Sequence, residues 1–166
     1  MAIKAVYIMR DSGFSLFQRT YGDDVSSPDQ DLLSGFISAI FNFFKDYCED
    51  QIMKMETKLL KFFYHLYGEV IFVMITELEN DKDEKPVKKL LTELAENFVY
   101  KFGVRINEEI DRSKFLGFEK IADQLIEGYN EVNNKKNLAK NSLEALDNFV
   151  KSAINKILIY DSIGNK

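Results

Sequence analysis

The sequence predicts an α+β domain in which a five-stranded antiparallel sheet is sandwiched between helices. Three observations carry that expectation. The run Val70-Ile71-Phe72-Val73-Met74-Ile75 is apolar at every position, so Val70, Phe72 and Met74 face one side of a strand and Ile71, Val73 and Ile75 the other. A strand that is apolar on both faces has to be covered on both, which calls for helices above and below the sheet. The run before it, residues 59–67, behaves the same way: Leu60, Phe62, Tyr64 and Leu66 share one face, and Phe63 and Tyr67 the opposite one. Finally, strand periodicity is confined to the first half of the chain, and helical periodicity fills the second.

Taken in order, residues 3–10 and 14–21 flank Asp11-Ser12-Gly13, a three-residue connection with glycine where a left-handed residue is wanted, and form a hairpin. Ser27-Pro28-Asp29-Gln30 then supplies an N-cap, a proline at the first helical position and a reciprocal glutamine three residues after the cap. In the helix that follows, Leu32, Leu33, Phe36, Ile37, Ile40, Phe41, Phe43, Phe44, Tyr47 and Cys48 fill about half the circumference at about 100° per residue. Ser34, Gly35, Ser38, Asn42, Lys45, Asp46 and Glu49 hold the other half. Packing on one sheet needs a stripe of only about 100°. Either the helix sits deep between the sheet and its neighbours, or part of the stripe meets another protein.

Residues 51–56 alternate Ile52, Lys54 and Glu56 with Met53 and Met55, which fits a half-exposed edge strand with charges guarding one face. Turns at Thr57-Lys58 and Tyr67-Gly68-Glu69 complete a three-stranded meander ending near Glu77. Residues 79–86 form a charged loop leading to Asp83 as a helix cap. Leu90, Leu91, Leu94, Phe98, Val99 and Phe102 then recur at helical spacing, and Gly103 sits where a C-terminal cap belongs. Ser113 can cap a third helix carrying Phe115, Phe118, Ile121, Ala122, Leu125, Ile126 and Tyr129, which the polar run Asn133-Asn134-Lys135-Lys136-Asn137 is expected to break. A fourth helix carries Leu138, Leu143, Leu146, Phe149, Val150, Ile154, Ile157 and Leu158. The tail, residues 157–164, faintly echoes residues 6–13; it reads either as the end of that helix or as the opening strand of a further repeat.

A chain of 166 residues is long enough to bury a core without staples. Its 14 Phe and 8 Tyr make that core aromatic-heavy, and a formal net charge of -5 with interspersed signs provides no basic footprint, which argues against nucleic acid as a partner. With Cys48 as the single cysteine, an intramolecular disulfide is excluded and a reducing cytoplasm is the simpler compartment. Met1-Ala2-Ile3-Lys4 runs straight into strand pattern, so no secretory leader is expected. No apolar stretch reaches the roughly 20 residues of a bilayer span, so direct transmembrane insertion is not expected; peripheral attachment through a partner stays open.

Signatures of chemistry are missing. The sequence contains no phosphate-binding glycine loop, no dinucleotide fingerprint, no zincin motif and no paired cysteines. His65 is the only histidine and has no second imidazole for a metal pair; Cys48, on the margin of the apolar stripe, is expected to be a buried inert thiol. Turn chemistry accounts for Asp11-Ser12-Gly13 without a nucleophilic serine. Catalytic, cofactor-binding and metal-binding residues are therefore all expected to be none, and an enzyme is not the expectation.

The order hairpin, long helix, three-stranded meander, helices resembles the longin and roadblock superfamily, a profilin-like β-β-α-β-β-β-α-α fold. The residues carrying the likeness are the opening Ile3-Lys4-Ala5-Val6-Tyr7-Ile8-Met9-Arg10-Asp11-Ser12-Gly13-Phe14-Ser15-Leu16-Phe17, the helix segment Asp31-Leu32-Leu33-Ser34-Gly35-Phe36-Ile37-Ser38-Ala39-Ile40, and Val70-Ile71-Phe72-Val73-Met74-Ile75. It spans residues 1–105 as a longin-like core; residues 106–166 depart from the pattern as a C-terminal helical extension packed on that core.

The resemblance implies a non-catalytic interaction module, a scaffold or regulator. Such a module forms a homodimer, or a heterodimer with a related domain, and binds a small Ras-like GTPase or a trafficking or adaptor complex. It also implies that the second and third strands are the sheet edges. The contact surface would then be the third strand and the adjoining helix margin, through Ile37, Phe41, Phe44, Ile52, Met53 and Met55. A free edge offers backbone groups for strand addition, and nearby aromatics offer anchors that lose water on binding. The alternative is a sensor similar in outline to PAS-type folds, or a carrier, with an apolar ligand enclosed by the Phe-rich interior.

Overall fold

A computed structural model of the chain describes residues 1–21, 30–79, 83–103, 106 and 111–164. Five strands, β1 (Ile3–Arg10), β2 (Ser15–Thr20), β3 (Lys54–Glu56), β4 (Leu60–Tyr67) and β5 (Val70–Glu77), form one sheet in the order β2-β1-β5-β4-β3. Every neighbouring pair is antiparallel. The second and third strands are thus the edges, as the resemblance implied. β5 is central, buried along nearly its whole length as its two-faced apolar pattern requires. Both sharp turns use glycine at positive φ: Gly13 at +88° in the β1–β2 hairpin and Gly68 at +60° between β4 and β5.

α1 (Gln30–Tyr47) and α2 (Lys85–Phe102) cover the sheet. On the α1 side, Ile37 and Phe41 pack into a cluster with Tyr7, Met9, Phe62, Tyr64, Ile71, Val73 and Ile75. On the α2 side, the rings pack on one another: Phe72 meets Phe98 at 5.8 Å, and Phe98 meets Phe115 at 5.6 Å and Phe118 at 5.0 Å. The cap expected at residues 27–29 lies outside the described residues. At the start of α2, Asp83 accepts from the Lys85 N–H at 3.0 Å. At its end, the Gly103 N–H donates to the Val99 carbonyl at 2.7 Å.

Four local expectations are corrected. β3 is a three-residue strand rather than residues 51–56, and its ladder with β4 runs only from Lys54–Phe63 to Glu56–Lys61. The cap near residue 113 belongs to a 3-10 turn, Arg112–Phe115, whose start is held by Asp111 accepting from the Ser113 N–H at 2.9 Å; the helix proper begins at Glu119. Residues 133–137 do not break it: α3 is one helix, Glu119–Gly164. Asparagine and lysine are only modestly unfavourable in a helix, and none of these five residues is proline or glycine. Cys48 is exposed rather than buried.

The chain divides into two compact units, Met1–Glu127 and Gly128–Lys166. The first contains the sheet, α1, α2, the 3-10 turn and the opening turns of α3. The second is helical and presents Leu138, Leu143, Leu146, Phe149 and Val150 as exposed side chains. No helix among the described residues is long and apolar enough to cross a membrane.

Candidate functional site

The face formed by α1 and the approach to β3 is where the structure departs furthest from a closed domain, and the cause is the rotation of α1. The residues it buries are Ser34, Ile37, Ser38 and Phe41. At about 100° per residue, that arc is turned by roughly 100° from the centre of the apolar stripe. Small polar residues have taken the inward position. The Ser38 hydroxyl donates to the Asp11 carbonyl, and the Asn42 amide donates to the same oxygen at 2.8 Å and to Ser38 Oγ at 3.3 Å. A methyl group at Gly13 would sit 3.5 Å from the Ser38 side chain and 3.7 Å from the Gly35 Cα, ordinary contact distances, so the hairpin turn rests directly on this face of the helix. Turning α1 to bury its greasiest side would leave the Asp11 carbonyl without these donors.

The consequence is an apolar flank turned outward. Phe36 is 55% exposed, Tyr47 81%, and Leu32, Phe43 and Phe44 are exposed as well. Phe43 and Tyr47 stack on each other at 5.2 Å, and Phe43 meets Phe44 edge-on at 5.7 Å. Beyond the helix, Phe44, Cys48, Asp50, Gln51, Ile52, Met53 and Lys54 line an open depression of about 480 Å³. Ile52 and Met55 are half-buried against the α1-side cluster, while Met53 is 58% exposed.

Of the six residues expected at an interface, Phe44, Ile52, Met53 and Met55 therefore lie at the surface or its margin. Ile37 and Phe41 do not: they are 0% and 1% exposed and belong to the core. Phe41→Asp would bury an unpaired charge and unfold the chain rather than separate two copies. The sequence reading assigns no contact role to Leu32, Phe36, Phe43 and Tyr47. The signal that could find them is the pair Ser34 and Ser38, small polar side chains four residues apart that both lie buried on the sheet side.

β3 is charged on its other face. Lys54 pairs with Glu56 at 2.9 Å and with Glu84 at 3.0 Å; Lys61 pairs with Glu84 at 3.0 Å and with Glu56 at 3.3 Å. Burial alone would raise the Glu84 pKa, but hydrogen bonds from Lys61 and Lys54 outweigh it and hold the carboxyl at about 2. This ties the short edge strand to the start of α2 and leaves its α1-side face apolar. His65 is half-buried near Phe72, 6.3 Å between rings, which is a packing role. No group of three or more His, Cys, Asp or Glu side chains that could hold a metal ion occurs among the described residues.

The strand order, with α1 over one face and α2 over the other, is the one that the longin and roadblock resemblance implied, here carrying an outward apolar flank beside an edge strand. No protein-family model and no curated protein matches the chain. Among solved structures, it is similar to the gliding protein MglB from Thermus thermophilus, with 11% identity over 45% of this chain and 61% of that one and a TM-score of 0.40. The chain thus spans under two thirds of that MglB structure. It is also similar to a Roadblock/LC7 domain from Streptomyces avermitilis, with 8% identity over 63% of this chain and 88% of that one and a TM-score of 0.47. A third likeness is to the mammalian SRP receptor, with 15% identity over 80% of this chain and 98% of that one and a TM-score of 0.49.

Proposed function

We propose that this chain is a non-catalytic, longin-like interaction module. Its α1–β3 face pairs with a second copy or a related domain, and the resulting dimer is a cytoplasmic platform for a small Ras-like GTPase or a trafficking or adaptor complex. In this reading residues 1–105 are the pairing core, and residues 106–166 are an extension whose opening turns close the opposite edge.

The observation that carries the proposal is the outward turn of α1. A helix anchored by Ser38 and Asn42 holds Phe36, Phe43, Phe44 and Tyr47 in water, with Phe44 and Met53 lining one depression, and large grouped apolar residues of this kind mark contact surfaces. β3 adds an edge to which another strand can pair. The ring-on-ring packing around Phe98 supports a platform over an apolar-ligand carrier, because that half of the interior is occupied by its own side chains.

Light scattering of the pure protein, alone and mixed with candidate GTPases loaded with GDP or GTP, tests the reading. A dimer alone and a heavier complex in one nucleotide state are expected, with Phe44→Asp and Met53→Asp together lowering the self-associated fraction at least tenfold. A wild-type chain whose α1–β3 face stays unoccupied and that gains no mass with any GTPase would overturn it.

A further inference from the structure

The second unit carries a pattern that the α1–β3 reading does not use. From Val132 onward α3 repeats every seven residues: Val132, Ala139 and Leu146 occupy one seam position, and Lys136, Leu143 and Val150 the other, at alternating spacings of four and three. The sequence keeps this spacing at residues 153, 157 and 160, giving roughly four heptads, the length at which a sustained seam argues for a coiled coil. Leu143 is 66% exposed and Leu146, Val150 and Val132 are also exposed, so the seam has no cover in the single chain. Within the polar run 133–137 the one seam position is Lys136, and the spacing of four and three continues on either side of it.

We propose that this segment pairs with the same segment of a second copy as an antiparallel two-stranded coiled coil, its twofold axis lying between Leu143 and Leu146. Charge fixes the orientation. In a parallel, in-register pair Lys136 would face Lys136 of the other copy, and Lys135 would flank the other copy's Lys140, stacking like charges along the seam. In the antiparallel pair centred between Leu143 and Leu146, Lys136 faces the alanine position 153, and Lys140 lies beside Asp147 of the other copy, twice by symmetry. Charge fixes the register as well. A slip of one heptad one way sets Lys140 against Lys140, and a slip the other way sets Asp147 against Asp147. Within one chain Asp147 accepts from Lys151 at 2.6 Å and Lys140 approaches Glu144 at 3.8 Å; a carboxylate has room to accept from a second lysine.

The test uses the full chain in a Cys48→Ser background with a spin label at Asn134→Cys. Position 134 lies 21 residues from its antiparallel partner level, so at about 1.5 Å rise per residue the two labels should be separated by about 30 Å or more. That distance should disappear in Leu143→Asp/Leu146→Asp, whose exposed positions leave the first unit folded. A separation of about 20 Å or less, set by helix diameter alone, would mean a parallel pair and overturn the proposal. So would the absence of any interchain distance at the highest soluble concentration. The label reports on α3 alone, so the outcome is independent of whether the α1–β3 face pairs.

Discussion

β2 and β3 bound the same sheet, yet they meet different surroundings. β2 lies against residues from the other end of the first unit. Phe17 packs edge-on against Phe118 at 5.2 Å, and Arg19 makes a two-pronged contact with Asp123, at 3.2 Å and 2.9 Å. β3 is three residues long, is tied down through ions on one side, and on the other side adjoins Met53 and the aromatic flank of α1. The contrast shows how a C-terminal extension can assign functions to edges. By covering β2 it leaves β3 as the less enclosed rim of the sheet, the side on which the proposed partner would add.

Four substitutions would break or sharpen that contrast. The largest effect is expected for Phe118→Ala, which removes a fully buried ring touching Phe17, Phe98 and Phe102 and should cost about 3–5 kcal/mol in urea unfolding. Met53→Ala, beside the other edge, should change stability by no more than about 0.5 kcal/mol. Equal losses would mean that the two edges are equally sealed.

Glu84→Gln should cost about 1 kcal/mol near neutral pH by removing the carboxylate that Lys54 and Lys61 share. Because folding lowers this pKa from 4.5 to about 2, its contribution is fully present above about pH 4.5 and is lost as pH falls toward about 2. Thermal unfolding of the wild type and the variant should therefore converge at acid pH. A gap that persists there would assign the effect to packing. Asp123→Ala should cost about 0.5–1 kcal/mol for a partly exposed pair, seen as faster hydrogen exchange at β2 amides with β4 and β5 unchanged.

Much of this contrast can be read from the residues, because strands buried on two faces are unambiguous. Residues 60–67 and 70–77 could hardly be anything but inner strands, and the Asp11-Ser12-Gly13 turn fixes the first hairpin. The rotation of α1 cannot be read in the same way. Hydrophobicity alone puts Ser34, Ser38 and Asn42 outside, and only the position of the Asp11 carbonyl, set by tertiary structure, turns them inward. For the same reason the apolar stripe assigns Ile37 and Phe41 to a surface they do not reach, and gives no sign that Phe36 and Tyr47 are exposed. The length of α3 is obscured by composition: residues 133–137 are polar, but polarity on an exposed helix is no break.

The central claim is that the aromatic flank of α1 is held outward in order to be covered by a partner. The chain has no tryptophan, so Tyr47→Trp places a single fluorophore at the most exposed point of that flank. Its emission should be blue-shifted in the associated protein and move to the red, in step with falling mass, on dilution or on adding Phe44→Asp. Emission that stays at the solvent-exposed wavelength at every concentration, whatever the mass, would contradict the account.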